Sequence, residues 1–301
     1  MGNTIRMGEK KMQDTEKEFM TEEKRNLLIM EYRKLIRWDC REECETDQML
    51  RRKQPPLVKP PVTDLSVTPA IPLPRDFSEL PVVKDLSKIF AERSSHRVYS
   101  GEEISLNELS FLLWATQGIK SIRGKRYATI RTVPSGGARH PFETYFLALH
   151  VKGIKRGLYH YLPISHSVEM IEETDISNDD AWRYVSDTVC GQRFVENASV
   201  IFYYSIVPYR AEWRYAYSAH RVTMMDLGHI SENMYIACTA LKLGTCGIAA
   251  VDSDLCNTWM HLDGDEEDIC YAMPVGTLDP KDLPKEDETY AFLREEEQYY
   301  E

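Results

Sequence analysis

Eight prolines lie between positions 55 and 81, at 55, 56, 60, 61, 69, 72, 74 and 81. Each proline lacks a backbone N–H and biases the residue before it towards extended geometry, so this spacing excludes a regular helix. The same stretch also contains apolar residues, among them Leu57, Val62 and Ile71. We therefore expect an ordered arm that lies over the surface of a domain; a flexible linker is the alternative interpretation.

The composition narrows the class of protein. The 301 residues carry a net charge of −11 and a pI of about 5.3, which argues against a broad nucleic-acid surface but leaves room for a local phosphate pocket. No apolar run is long enough to span a bilayer, and the charged N-terminus is unlike a signal peptide, so we expect a cytoplasmic protein. Of the seven cysteines only Cys40 and Cys44 are close in sequence, so no metal site is predicted and free thiols are expected.

Strand and helix patterns alternate along the chain. Apolar and β-branched runs predict strands over 128–133, 143–151, 157–161, 167–173, 199–207, 246–251 and 270–275. Helical patterns cover 15–43, 83–91, 178–188, 217–243 and 254–262, and a capping box at Ser105 and Glu108 begins a helix that Gly118 ends. These elements predict an α+β fold, a mixed β-sheet sandwiched by helices, with 199–207 as a central strand.

The predicted helix over 217–243 is unusually apolar. Its apolar residues cover more than one face, which favours a helix in the centre of the fold or one at a dimer interface. Gly244 is expected to end it.

Two polar segments are candidate ligand sites. Pro134 to Pro141 contains Gly136 and Gly137, which allow a close approach to the backbone, and a serine and an arginine beside them suit a flat ligand with polar edges. The segment from Arg93 to Arg97 supplies two guanidinium groups and two hydroxyl groups, which suit a dianion. The alternatives are an ordinary surface connection and a solvated basic turn.

Six short motifs occur in a fixed order. They are Arg93-Ser94-Ser95-His96-Arg97, Leu112-Leu113-Trp114-Ala115-Thr116-Gln117-Gly118, Pro134-Ser135-Gly136-Gly137, Gly157-Leu158-Tyr159-His160-Tyr161, Asp226-Leu227-Gly228-His229 and Leu241-Lys242-Leu243-Gly244. This set resembles the nitroreductase superfamily over about residues 86–278. The most similar branch is that of the SagB-type dehydrogenases, which includes the azoline oxidases of peptide maturation.

The resemblance implies an FMN-binding homodimer with the flavin at the dimer interface and the long helix within that interface. By position, the phosphate and ribityl chain would be held by Arg93, Ser94, Ser95 and Arg97. The loop against the isoalloxazine ring would be Pro134, Ser135, Gly136 and Gly137. A turn of Leu243, Gly244 and Thr245 would present N–H groups to the N5/O4 edge of the flavin, and Lys281 is a candidate for a further phosphate contact.

One position departs from the azoline oxidases. They carry a Lys-Tyr pair where this chain has Arg214-Tyr215, and an arginine stays protonated, so it cannot accept a proton. Tyr215 and Arg214 remain the candidate catalytic residues, with a solvated helix turn as the alternative.

The resemblance therefore predicts an FMN-dependent oxidoreductase that takes electrons from NAD(P)H and reduces a nitro compound, a quinone or a similar acceptor. The alternatives are a SagB-like dehydrogenase that oxidises azoline rings and a flavin-binding protein without turnover. The expected organisation is an N-terminal helix and proline-rich arm over 1–82, a flavin-binding domain over 83–280 and an acidic tail over 281–301.

Overall fold

A computed structural model describes residues 20–36, 44–176 and 179–282. The chain divides into two compact units, 1–42 and 43–301. The first contains helix α1, Glu22–Ile36, which lies within the helix predicted over 15–43; the other parts of that prediction, 15–19 and 37–43, fall outside the described residues. The acidic tail from residue 283 onward also falls outside them. No helix in the described ranges is long and apolar enough to cross a membrane.

The second unit contains the remaining helices and all the described strands. The helices are α2 Leu86–Glu92, α3 Leu106–Gln117, α4 Asp179–Asp187, α5 Tyr209–Tyr215, α6 Ala219–Leu241 and α7 Ser253–Met260. The strands are β1 Ile71–Pro72, β2 Ile104–Ser105, β3 Ile119–Arg123, β4 Ala128–Arg131, β5 Phe142–Ala148, β6 Val151–Lys152, β7 Gly157–Leu162, β8 Ser167–Glu173, β9 Val200–Ile206, β10 Leu243–Thr245 and β11 Asp268–Thr277.

Seven strands form the main sheet, in the order β1-β8-β7-β5-β9-β11-β10. Its pairings are antiparallel, and a separate parallel pairing joins β2 to β6. Strand β9 lies between β5 and β11, as its run of apolar residues predicts. The β3–β4 hairpin stands apart from this sheet.

Helices cover both faces of the main sheet. Side chains alternate along a strand, so Phe146 and Phe202 pack with α3 and α6 on one face, while Tyr145 and Tyr203 belong to the core that α4 and α7 cover on the other. The α+β sandwich predicted from the sequence is confirmed, but its main sheet is antiparallel and not mixed.

The capping box is also confirmed. The Glu108 N–H donates to Ser105 Oγ at 3.1 Å, the Ser105 N–H donates to Glu108 Oε2 at 2.7 Å, and α3 ends with Gly118 as its C-cap.

Two predictions near the end of α6 are wrong. The helix ends at Leu241, because Lys242 adopts a left-handed conformation with φ of 60° and the next three residues form edge strand β10. The strand predicted over 246–251 is absent; within the described residues Ile248 forms an isolated bridge with Ala272. The Gly247 N–H donates to the Tyr235 hydroxyl at 2.8 Å, which takes this segment out of the sheet.

The proline-rich arm contains no helix over the described residues 55–81, as its prolines predict, and buried carboxylates hold it. The backbone N–H of Lys59 donates to Glu143 at 2.7 Å, and those of Val62 and Thr63 donate to Glu169, each at 2.9 Å. Because extended, proline-rich backbone leaves its N–H groups without partners in the arm itself, these carboxylates provide the acceptors it needs.

A buried ionic cluster lies beneath the arm. His160 Nδ1 contacts Glu169 at 2.7 Å, and its Nε2 lies 3.7 Å from Glu143, which also pairs with Arg210. Burial would raise the pKa of Glu169, but hydrogen bonds from His160, Thr63 and the arm outweigh it and lower that pKa to about 2. Burial would lower the pKa of His160, but the two neighbouring carboxylates, Glu143 and Glu169, raise it.

These shifts predict a stability maximum between two pH limits. The contribution of Glu169 is present above the ordinary glutamate pKa of 4.5 and is lost as the pH falls towards 2. The contribution of His160 is present below the ordinary histidine pKa of 6.5 and is lost as the pH rises through its raised value. Urea unfolding measured over a range of pH should show the free energy of unfolding falling at low pH, the acid limb, and again at high pH, the alkaline limb. His160→Gln should remove the alkaline limb while His220→Gln, at an exposed position, should not; an unchanged alkaline limb in His160→Gln would contradict the assignment.

Candidate active site

Asp226 of α6 holds the glycine-rich loop, residues 134–141, in place through hydrogen bonds. The Ser135 hydroxyl donates to Asp226 Oδ2 at 2.6 Å, and the Gly136 N–H donates to Asp226 Oδ1 at 3.0 Å. The His140 N–H in turn donates to Ser135 Oγ at 2.9 Å, which closes the loop on itself. Asp226 is 3% exposed, and this burial raises its pKa in spite of the two hydrogen bonds.

The two glycines of this loop lie against α5 and α6. Gly137 has a φ of 57°, and a Cβ there would lie 2.5 Å from Arg214 Cδ and 2.7 Å from the Tyr215 hydroxyl. A Cβ at Gly136 would collide with Val222. The structure therefore brings the predicted loop together with the predicted catalytic pair, Arg214 and Tyr215, and a glycine is required at both loop positions.

Arg214 is engaged in protein contacts. One guanidinium nitrogen donates to the Tyr127 hydroxyl at 2.7 Å and to Gln48 Oε1 at 3.4 Å, and the group lies 5.6 Å from the Tyr215 ring centroid. These contacts orient Arg214 along the loop, and its catalytic role stays a prediction.

A second arginine, Arg139, belongs to the same loop, but its side chain is buried in protein contacts rather than facing a ligand as the sequence suggested. It is 3% exposed, and its guanidinium lies 4.8 Å and 5.5 Å from the ring centroids of Tyr127 and Trp213. It donates to the Gly137 carbonyl at 3.1 Å and to the Tyr127 carbonyl at 2.8 Å. Burial lowers the pKa of Arg139. Arg139 therefore stabilises the loop by joining its backbone to that of Tyr127.

Tyr235 of α6 contacts the second polar segment, which runs from Arg93 to Arg97. The Arg93 guanidinium lies 5.3 Å from the Tyr235 ring centroid, and Ser95 Oγ lies 3.0 Å from the Tyr235 hydroxyl. That hydroxyl also accepts the Gly247 N–H. Ser94 and Arg97 are half-buried in the same segment.

Leu243, Gly244 and Thr245 form strand β10, so the turn expected at these residues is wrong. The pairing of Leu243 with Thr277 at the end of β11 draws them into the sheet. The His96 N–H donates to the Thr245 carbonyl at 2.9 Å, and a Cβ on Gly244 would lie 2.8 Å from His96 Cβ. The structure thus places this strand directly beside the segment from Arg93 to Arg97.

Asp282 ties the end of the described chain to the same place. Its carboxylate accepts the N–H groups of Arg97 at 3.2 Å and Val98 at 3.0 Å, and it pairs with His96. The neighbouring residue, Lys281, is exposed, and its N–H donates to Asp279 at 2.8 Å. Lys281 is therefore adjacent in sequence to a residue that contacts this segment.

The candidate site thus has two parts, and both are anchored to α6. Sequence reasoning did not assign roles to Asp226, Tyr235 or Asp282. Asp226 belongs to one of the six motifs, and an acidic residue in an otherwise apolar helix was the available signal. Tyr235 gave no such signal, because a tyrosine in an apolar helix is typical of a core.

Comparison with known proteins identifies the family. The model of the nitroreductase family matches residues 90–277. A protein of Methanocaldococcus jannaschii named as a nitroreductase is 30% identical over 174 residues, which cover 57% of this chain and 83% of that protein. The chain therefore belongs to the nitroreductase family, whose members are oxidoreductases.

Another relative is named as a processing protein. The trifolitoxin-processing protein TfxB of Rhizobium leguminosarum bv. trifolii is 30% identical over 196 residues, which cover 62% of this chain. The match spans 52% of TfxB, about half its length.

Solved structures agree on the fold. A structure from Ralstonia eutropha described as a nitroreductase has a TM-score of 0.56 and 22% identity, covering 70% of this chain and 90% of its own. A chain of the E. coli microcin synthetase McbBCD complex with truncated pro-MccB17 bound has a TM-score of 0.51 and 18% identity, covering 86% and 95%. At these identities the likeness concerns the fold alone.

Proposed function

We propose that the protein is an FMN-dependent oxidoreductase that accepts electrons from NAD(P)H and reduces a nitro compound, a quinone or a similar small acceptor. The observation that carries the proposal is the arrangement on α6, where Asp226 holds the glycine-rich loop and Tyr235 holds Arg93 and Ser95. The glycine-rich loop suits a flat ring, and the segment from Arg93 to Arg97 suits a phosphate group.

The chemistry of the second part fits a phosphate. In the part of the chain that the structure describes, Arg93 pairs with no carboxylate, and its contact is with the Tyr235 ring. A half-buried guanidinium without a carboxylate partner, beside the hydroxyl groups of Ser94 and Ser95, is a suitable donor set for a dianion.

Each residue predicted to bind the cofactor has a role in this proposal. When bound, FMN supplies hydride acceptance and donation at its N5 atom. Arg93, Ser94, Ser95, Arg97 and Lys281 would hold its phosphate and ribityl chain.

The ring would lie between the two parts of the site. Pro134, Ser135, Gly136 and Gly137 would lie against it. From edge strand β10, Leu243, Gly244 and Thr245 would direct backbone N–H dipoles towards its N5/O4 edge, where negative charge collects on reduction.

The protein would act as a homodimer in the cytoplasm, with the flavin at the interface. The support is the exposed apolar surface of α6, where Met224 is 52% and Met225 is 50% exposed. An apolar helix face of this kind is typical of an interface. Light scattering of the purified protein tests it, and a monomer at micromolar concentration would contradict it.

The visible spectrum tests the flavin and its donor. We expect a flavin spectrum in the purified or FMN-reconstituted protein, and bleaching on anaerobic addition of NADH or NADPH. A protein that takes up no FMN would overturn the proposal. A flavin that binds but stays oxidised with both nicotinamides would instead indicate a substrate dehydrogenase or a flavin-binding protein without turnover.

Replacing Arg93 by alanine should weaken FMN binding. The change removes a charge-assisted contact to the phosphate, which is worth about 1.5–3 kcal/mol. Fluorescence titration of FMN measures this, with Arg93→Lys as the control that keeps the charge but loses the planar fork. An unchanged FMN affinity in Arg93→Ala would show that the phosphate lies elsewhere.

The second candidate function is the oxidation of azoline rings in a peptide. Two observations favour it, the similarity to TfxB and the position of the Tyr215 hydroxyl beside Gly137. In this function Tyr215 would act on a proton of the substrate, and Arg214 would keep it oriented through the contact between their side chains. Tyr215→Phe should then abolish azoline oxidation while leaving NAD(P)H-dependent bleaching intact; equal loss of both would contradict this role.

A further inference from the structure

The β3–β4 hairpin is strongly basic in an acidic chain. Lys120, Arg123, Lys125 and Arg126 are all exposed, and no acidic residue occurs between Leu109 and Phe142. The whole chain carries a net charge of −11. Among the described residues these four cations form no ion pair with a carboxylate. Such a concentration of unpaired positive charge favours an acidic partner.

The proline-rich arm extends this basic surface. Gln54 of the arm donates from its side chain to the Tyr127 carbonyl of the hairpin at 3.0 Å. Arg51 and Lys53, three and one positions before Gln54, are exposed. Two further cations therefore stand next to the hairpin.

An apolar groove adjoins the basic surface. It has a volume of ≈ 570 Å³ and lies between the arm and the turn that joins β7 to β8, with Pro56, Val58, Pro60, Leu162 and Ile164 in its lining and Arg126 at its edge. A second cavity of ≈ 420 Å³ continues it, sharing Pro56, Val58, Arg126 and Ile164 and adding Ile122 and Lys125. Ile122 and Ile164 are each 44% exposed. An occupant of this surface would have both acidic and apolar side chains.

One segment of this chain has that chemistry. Residues 283–301, which lie outside the described residues, contain seven acidic and two basic side chains together with Tyr290, Phe292, Tyr299 and Tyr300. We propose that this acidic segment docks on the basic hairpin and places its aromatic side chains in the adjoining groove. A nucleic acid or an anionic membrane would use the cations but would leave the groove empty.

The length of the segment permits this contact. Its 19 residues begin after Asp282, which is held at the far end of β11. Nineteen residues can extend to about 60 Å, whereas a seven-residue strand is about 23 Å long. The segment is therefore long enough to reach the hairpin of its own subunit. The proposal does not depend on flavin binding, because neither the four hairpin cations nor the residues lining the groove belong to the candidate active site.

Zero-length carbodiimide crosslinking of the full-length protein tests the contact. The reagent joins a carboxylate to a lysine amine that touches it, so Lys120 and Lys125 serve as reporters, and Lys84 and Lys152, exposed elsewhere, serve as references. Mass spectrometry should find crosslinks from residues 283–301 to the reporter lysines and few to the reference lysines.

Two variants separate docking from chance encounters. R123E/R126E keeps the reporter lysines but reverses two charges, and it should lower the crosslink yield about fivefold or more, as should 0.5 M salt. K84E/K88E, a matched reversal outside the hairpin, should leave the yield unchanged. Ile164→Ser should lower it through the groove while keeping every charge.

The opposite results would overturn the proposal. They are equal crosslinking of the segment to reporter and reference lysines, or an unchanged yield in R123E/R126E. An equal mixture of ¹⁴N- and ¹⁵N-labelled protein shows whether the segment comes from the same subunit or from a second copy, and either origin supports the docking.

Discussion

Replacing Glu169 by alanine is expected to lower the free energy of unfolding by about 3–5 kcal/mol, the cost of breaking a buried charge pair. Glu169 is fully buried, and it accepts hydrogen bonds from the backbone of Val62, the backbone and hydroxyl of Thr63, and His160 Nδ1. Alanine would leave all of these donors without an acceptor. It would also leave a histidine whose pKa is raised with Glu143 at 3.7 Å as its nearest remaining carboxylate.

Hydrogen exchange in the proline-rich arm should detect the effect of this substitution directly. Hydrogen exchange at the amides of Val62 and Thr63 should speed up more than at any amide of central strand β9, because the arm loses its attachment before the sheet unfolds. Glu172→Ala, at an exposed position of the same strand, is the matched control and should have little effect. If Glu169→Ala unfolded at the same urea concentration as the unchanged protein, the carboxylate would not be what holds the arm.

Replacing Asp226 by alanine is expected to have the largest effect on the candidate active site. Asp226 accepts two hydrogen bonds from the glycine-rich loop, and hydrogen bonds to charged groups are worth about 1.5–3 kcal/mol each. Their loss frees Ser135 and the Gly136 N–H and lets the loop move away from α6. FMN affinity should fall by at least about tenfold, which corresponds to 1.4 kcal/mol.

Asp226→Asn provides the control. An asparagine keeps an acceptor for the Gly136 N–H and a donor that the Ser135 oxygen can accept, so FMN binding should be close to normal. FMN titration and urea unfolding of both variants separate a local effect on the loop from a general loss of stability. A normal FMN affinity in Asp226→Ala would show that the loop is not part of the flavin site.

The parts of the fold that local pattern determines were predictable from the sequence. The capping box of α3, the hairpin of β7 and β8 and the central position of β9 all depend on residues near one another in sequence or on continuous apolar runs. The proline-rich arm is a similar case, because the absence of N–H donors alone excludes a helix.

The errors occurred where distant residues decide the conformation. The pattern predicted that α6 would continue to Leu243, but β10 pairs with β11, a strand more than twenty residues away, and that pairing ends the helix early. Gly244 was interpreted as a helix stop, whereas its lack of a side chain accommodates His96. Nothing local to these residues indicates either contact.

The sequence predicted which segments form the candidate site, but it did not predict the contacts that hold those segments in place. The sequence identified the glycine-rich loop, the segment from Arg93 to Arg97 and the position of Tyr215. It did not show that Arg214 would bond to Tyr127, or that Tyr235 would contact both Arg93 and Gly247. These contacts depend on tertiary packing, which spacing in one sequence does not reveal.

The anchoring of both parts of the site to one helix also limits how the sequence can change. Asp226 and Tyr235 are nine positions apart, which at 1.5 Å per residue is about 13 Å along the axis of α6. A one-residue insertion between them would turn Tyr235 by about 100° and carry it away from Arg93. Relatives that keep this site can therefore vary in the length of their loops, but the interval between these two side chains must stay constant.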